Sequence, residues 1–151
     1  MYYSIRGKIV AIESKLLVIE TGGIGYEVYV SKPSMFSVGE EVFLYTHHHI
    51  KEDCEYLAGF KNKEEQEAFN LLIHVSGIGP KGALNILGNT NYEDLFKAVS
   101  DNNLDFIESI SGVTPKIASQ IILDLKGYLS KYNMNNTVYV EVRNALKRLK
   151  F

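Results

Sequence analysis

Ser76-Gly77-Ile78-Gly79-Pro80-Lys81 is a glycine-punctuated turn between two helical patterns, and it returns as Ser111-Gly112-Val113-Thr114-Pro115-Lys116. Gly77 and Gly112 stand 35 residues apart, and the match runs past the turn: Val75 corresponds to Ile110, Ala83 to Ala118 and Ile86 to Ile121. A fixed period carried by polar and apolar positions together marks a duplicated unit. Gly77 is free to take φ > 0 and puts no side chain over the turn, so another molecule can approach the backbone closely. Gly79 is expected to do the same where the next helix starts. Pro80 occupies a first-turn position, where its missing N–H costs nothing.

The amides of Ile78, Gly79 and Lys81 are therefore expected to be unpaired and to point outward, which makes an anion site. Lys81 adds a positive charge, and Ser76 opens the loop. The second copy offers Ser111, Gly112, Val113, Thr114 and Lys116 in the same order. Two such loops on one short domain suit two phosphates of a nucleic-acid backbone, held without reading a base. A single Gly-x-Gly before a helix is also an ordinary tight connection; the duplication is what separates the two readings. A nucleotide-binding P-loop is excluded, because Gly77 is followed by Gly82, Ala83 and Leu84 instead of the required Gly-Lys-Ser/Thr.

Upstream, short runs rich in Val, Ile, Tyr and Phe predict five strands between Tyr3 and Phe60: 5–12, 16–21, 26–31, 42–50 and 54–60. Gly22-Gly23-Ile24-Gly25 separates the second from the third, and Pro33 with Ser37-Val38-Gly39-Glu40 precedes the fourth. Five strands in some sixty residues suit a small closed barrel of the OB kind, whose surface commonly meets nucleic acid. The fourth and fifth meet across Lys51-Glu52-Asp53, a hairpin tip with two adjacent acids that is also readable as a plain solvated turn. His47 and His49 share a strand face, too few ligands for a zinc site.

Downstream the period becomes helical. Asn62 is placed to cap a helix with Glu65 at its third position. A second helix is expected from Pro80 to about Leu87, ending at Gly88; Asn91 and Asn103 cap a third and a short fourth; a fifth runs from Pro115 to about Leu129. Residues 132–137 read as a linker, and Val142, Ala145, Leu146 and Leu149 give 138–151 the stripe of one amphipathic helix.

With 151 residues and 46% hydrophobic composition, the chain has enough apolar material for one domain or two small ones. Cys54 is the only cysteine, which rules out internal disulfides and cysteine-based zinc clusters. No apolar run reaches the length of a membrane span, and the charged N-terminal stretch does not resemble an export signal, so a cytoplasmic location is expected. Sixteen basic residues against eighteen acidic ones are a poor balance for coating DNA indiscriminately. Residues 62–131, which carry the repeat, hold six basic and nine acidic groups. Any grip on DNA must then rest on a few placed lysines and on backbone amides.

A small barrel followed by two such loops resembles the RuvA family, the Holliday-junction-binding subunit of the bacterial branch-migration machine, in which the loops are helix-hairpin-helix motifs. The resemblance covers roughly residues 1–130. It is carried by Gly22-Gly23-Ile24-Gly25-Tyr26-Glu27-Val28, Thr46-His47, Glu52-Asp53, Gly59-Phe60 and both hairpins. It implies an α+β chain: a five-stranded OB-type β-barrel over 1–61, an all-α domain with tandem helix-hairpin-helix motifs over 62–131, the linker, and a short C-terminal helix that is only the start of the family's motor-binding module.

The resemblance further implies a homotetramer, sometimes paired into an octamer, that holds a four-way DNA junction open and flat. The hairpins would grip backbone phosphates through the amides around Gly77, Gly79 and Gly112 and through Lys81 and Lys116. Glu52 and Asp53 would be the family's acidic pin at the crossover, with Lys51 a phosphate contact beside it. The motor is a separate RuvB-type hexameric ATPase, so no catalytic residue, cofactor or metal is expected here. Thr114 departs from the glycine usual at its position; a β-branched residue resists φ > 0, so a weaker or altered second grip is expected. Two other readings are open to the residues: a helix-hairpin-helix DNA glycosylase using Asp124, and a duplex or single-strand DNA-binding module without junction preference.

Overall fold

The computed structural model describes residues 1–131. The linker and terminal helix expected over 132–137 and 138–151 lie outside the described residues. The chain divides into two compact units, Met1–Gln66 and the segment from Glu67 onward.

The first unit is a closed five-stranded barrel of β1 (Ser4–Glu13), β2 (Leu16–Thr21), β3 (Ile24–Tyr29), β4 (Glu41–Lys51) and β5 (Cys54–Phe60). Their order around the barrel is β1-β2-β3-β5-β4, all antiparallel except the β3–β5 pair, which is the OB arrangement. Closure follows from β1 being long enough to serve two partners: Ser4–Lys8 pairs with β4, and Lys8–Glu13 pairs with β2. A register shift between Ile9 and Ala11 bends the strand from one partner to the other. Side chains alternate with period two, so Ile5, Ile9, Leu17, Ile19, Val28, Val42 and Leu44 fill the interior.

The third strand begins two residues earlier than the sequence pattern predicts. Gly22 and Gly23 alone make the turn, with φ of 60° and 79°, the conformation a two-residue hairpin loop demands. Ile24 and Gly25 are thereby released to pair with Thr21 and Glu20.

Among the described residues five helices follow: α1 (Lys63–Ile73), α2 (Pro80–Asn89), α3 (Tyr92–Ser100), α4 (Leu104–Glu108) and α5 (Pro115–Lys131). Three asparagines cap as expected: Asn62 Oδ1 accepts from the Glu65 N–H at 2.9 Å, Asn91 from Glu93 at 2.9 Å and Asn103 from Phe106 at 3.1 Å. The unit boundary falls inside α1, because its first turn is tied to the barrel. Ser31 Oγ donates to Glu65, and Gln66 Nε2 donates to the Thr46 carbonyl at 2.8 Å.

Gly88 does not end α2. It stays helical, and the ladder continues past it with Thr90 N–H donating to the Ile86 carbonyl at 3.0 Å. Phe69, Leu72, Ala83, Leu95, Ile107, Ala118 and Ile121 are fully buried and form the interior of the helical unit. Each large apolar side chain removed from water contributes about 1.5–3 kcal/mol.

Candidate nucleic-acid interface

Both hairpins have the same backbone. In the first, the chain leaves α1 with His74 N–H on the Leu71 carbonyl and Val75 N–H on the Leu72 carbonyl, tightening the last turn. Gly77 then takes φ of 90°, a conformation that a side chain resists. Ile78 N–H donates back to the Val75 carbonyl at 3.1 Å, and Ala83 N–H donates to the Gly79 carbonyl at 2.9 Å to start α2. The second hairpin repeats each step: Gly112 has φ of 86°, Val113 N–H donates to Ile110 at 3.1 Å, and Ala118 N–H donates to Thr114 at 2.9 Å.

Two expectations are corrected by this geometry. The amide of Ile78 does not point outward, since the turn itself consumes it, and the same holds for Val113. Their side chains are buried, which makes both residues plugs that seat the loop on the helical unit. Nor does Gly79 need φ > 0: it sits at −90°, ψ 178°, ordinary extended backbone at a helix N-cap. The equivalent Thr114 therefore carries no backbone penalty and is not among the residues with positive φ. Its Oγ1 accepts from the Ile117 N–H at 3.2 Å, so the hydroxyl caps α5.

The amides left open lie on either side of each plug. Among the described residues, no partner is found for the N–H groups of Gly77, Gly79, Lys81 and Gly82 in the first loop, or of Ser111, Gly112, Thr114 and Lys116 in the second. All eight residues are exposed or half-exposed at the surface. Each loop thus presents several unpaired donors and one lysine around a helix N-terminus, a concentration of partial and full positive charge suited to a phosphate oxygen.

Asp124, in the middle of α5, holds the first loop. Its carboxylate accepts from the Ser76 N–H at 2.8 Å and from Gln120 Nε2 at 2.7 Å. The Ser76 bond, and after it the Gln120 bond, hold this carboxyl below its ordinary value. Asn85 Nδ2, on α2, donates to the Ser111 carbonyl at 2.9 Å. Sequence reasoning reaches Asp124 only as a catalytic acid and does not single out Asn85. The available signal is that Asn85 and Asn89 in α2 are matched by Gln120 and Asp124 in α5 at the same 35-residue spacing.

In the barrel unit, Glu52 and Asp53 form a two-residue turn between Lys51 and Cys54, which pair with each other. All four are exposed. The arm below this tip is stiffened on one face by His49, whose ring stacks on Tyr56 at 4.9 Å, and by Tyr29 edge-on to Tyr56 at 5.9 Å. On the other face His48 Nε2 meets Glu55 Oε1 at 2.7 Å. Burial, then the neighbouring His49 and His48, pushes His47 below its ordinary value, so it stays neutral at physiological pH. The tip itself therefore carries two carboxylates and one ammonium at the end of a braced two-stranded arm.

Residues 1–59 match the RuvA N terminal domain family, and residues 69–126 match the SAM-like Helix-hairpin-helix tandem family. The Holliday junction branch migration complex subunit RuvA of Oceanobacillus iheyensis is 39% identical over 161 residues, spanning 96% of this chain and 80% of that protein. The proteins of the same name from Bacillus velezensis and Streptococcus agalactiae are 43% and 41% identical over 83% and 84% of this chain. The match covers 63% and 66% of their lengths, so this chain spans just under two thirds of either. A closed OB-type barrel, a tandem hairpin unit and similarity over nearly the whole chain agree: this chain belongs to the RuvA family.

Proposed function

We propose that this chain recognises four-way DNA junctions and holds them open and flat for branch migration driven by a separate RuvB-type ATPase, hydrolysing nothing itself. The observation that carries the reading is the pair of duplicated loops, each presenting open amides beside a surface lysine. Such groups bind phosphate oxygens without regard to sequence. A junction is defined by its shape and has no fixed sequence, so backbone contacts are the appropriate chemistry.

Selectivity for the branched form is assigned to Glu52 and Asp53. In a four-fold assembly their carboxylates would meet at the crossover. Like charges about 4 Å apart repel by about 1 kcal/mol in water and about 4 kcal/mol where partly desolvated. Strands that turn away into separate arms avoid that repulsion, while a straight duplex crossing the centre does not. Lys51 beside the tip would take a phosphate at the branch point.

Gel-shift competition at fixed salt tests the reading. A synthetic four-way junction is expected to outcompete linear duplex of the same length, and Glu52→Lys with Asp53→Lys to tighten binding to both while eroding the preference. Equal competition by linear duplex would leave a binding module without junction preference. Light scattering with and without the junction tests the tetramer.

A further inference from the structure

The two hairpins are cross-braced. Asp124 belongs to the second repeat yet its carboxylate holds Ser76 of the first loop; Asn85 belongs to the first repeat yet its amide holds Ser111 of the second. Ser76 and Ser111 are equivalent under the 35-residue repeat, and so are the pairs Asn85/Asn89 and Gln120/Asp124. Within each pair the side chains are already bonded one helical turn apart. Asn89 Nδ2 donates to the Asn85 carbonyl at 2.8 Å and to Oδ1 at 3.2 Å, while Gln120 Nε2 donates to Asp124 Oδ1 at 2.7 Å. Such a pair presents a side chain with little rotamer freedom left to lose.

The glycines repeat the crossing. A Cβ on Gly77 would stand 3.1 Å from Ile117 Cδ1 of α5, and one on Gly112 would stand 2.5 Å from Asn85 Nδ2 of α2. Each loop is therefore backed by the other repeat's helix.

Resting on the phosphate-gripping reading of the hairpins, we propose that Asn85 and Asp124 are positioning residues that fix each loop against the opposite repeat, so that each grip depends on a side chain supplied by the other. The chemistry is complementary at the two ends. Asp124 supplies an acceptor to a loop N–H, and Asn85 supplies a donor to a loop C=O. Neither touches the phosphate; each holds the backbone whose open amides do.

A crossed double-mutant cycle on the full chain, read as four-way-junction affinity, tests this. Lys81→Ala and Lys116→Ala report the contribution of the first and second grips. In an Asp124→Ala background the cost of Lys81→Ala is expected to shrink by about threefold or more while that of Lys116→Ala is unchanged; in Asn85→Ala the pattern reverses. A general loss of stability would reduce both costs alike or neither. Asp124→Asn separates the brace from the charge, since it removes the negative charge but keeps an acceptor for Ser76, and it is expected to leave the cost of Lys81→Ala as in the unmodified chain. Lysine effects that are present but uncoupled, or coupled within the same repeat, overturn the proposal while leaving the phosphate reading intact. Lysine variants that bind like the unmodified chain overturn both.

Discussion

At Gly79 the first hairpin enters α2 through extended backbone with no side-chain cap, whereas at the equivalent Thr114 the second enters α5 with its hydroxyl on the Ile117 amide. The amide that corresponds to Ile117 in the first hairpin, that of Gly82, has no partner among the described residues. At the other end of the loop the situation is reversed: Ser76 gives its N–H to Asp124, whereas the Ser111 N–H has no partner among the described residues. The two copies thus share a fold of the backbone and differ in which donors are already used. Duplication kept the shape of the grip and let its electrostatics drift by one amide at each end.

The comparison is broken most severely at the two positive-φ glycines. Gly77→Ala and Gly112→Ala are each expected to destabilise the protein by about 1–3 kcal/mol, because a Cβ strains the backbone at that φ. Gly112→Ala is the worse of the two, since the new methyl displaces Asn85 and frees the Ser111 carbonyl. Urea unfolding of the two variants measures the difference, and equal losses would mean that Asn85 moves aside freely.

The N-cap position sharpens it with effects of opposite sign. Thr114→Ala is expected to cost about 1 kcal/mol through loss of the cap. Gly79→Thr is expected to gain stability, by about 0.4–1 kcal/mol, because the backbone there is extended and, among the described residues, no atom beyond its chain neighbours lies within 4 Å of the added Cβ, so the change chiefly restricts the unfolded chain. Thermal unfolding reads both. If Gly79→Thr is more stable yet binds a junction poorly, the glycine is needed for close approach of DNA and not for the backbone.

The smallest effect separates the two braces by pH. Asp124 has a folded value below its unfolded one, so the Ser76 tether contributes fully above the ordinary carboxylate range and is lost as pH falls through the depressed value. Its exposure keeps the change small. Amide exchange at Ser76 is expected to quicken, beyond the intrinsic pH trend, as pH falls below the ordinary carboxylate range and through the depressed Asp124 value, while protection of the Val113 amide, in the loop braced by Asn85, which does not titrate, stays constant.

The sequence discloses what repeats and what alternates. Period-two runs locate five strands, and three asparagines locate helix starts, because both signals are local. The third strand is misplaced when Gly22-Gly23 is counted with Ile24 and Gly25 as one turn, since two glycines suffice. The site is legible as two loops, yet the Ile78 amide expected to be open is used by the turn and Gly79, expected at positive φ, is extended: spacing shows where glycine stands, but only the backbone dihedrals show that Gly77 alone of the two needs its freedom. The bonds from Asn85 and Asp124 reach across 26 and 48 residues, and no local pattern reveals an interaction of that range.

The claim that both loops hold backbone phosphate is met most directly by the salt dependence of junction binding. Plots of log K against log salt for the unmodified chain, Lys81→Ala and Lys116→Ala are expected to show a shallower slope in each variant, by about 0.9 for every phosphate no longer neutralised. Similar reductions for both lysines would establish two working grips. Slopes that coincide with the unmodified chain's for both would contradict the account, for the loops would then be connectors and the protein would meet DNA elsewhere.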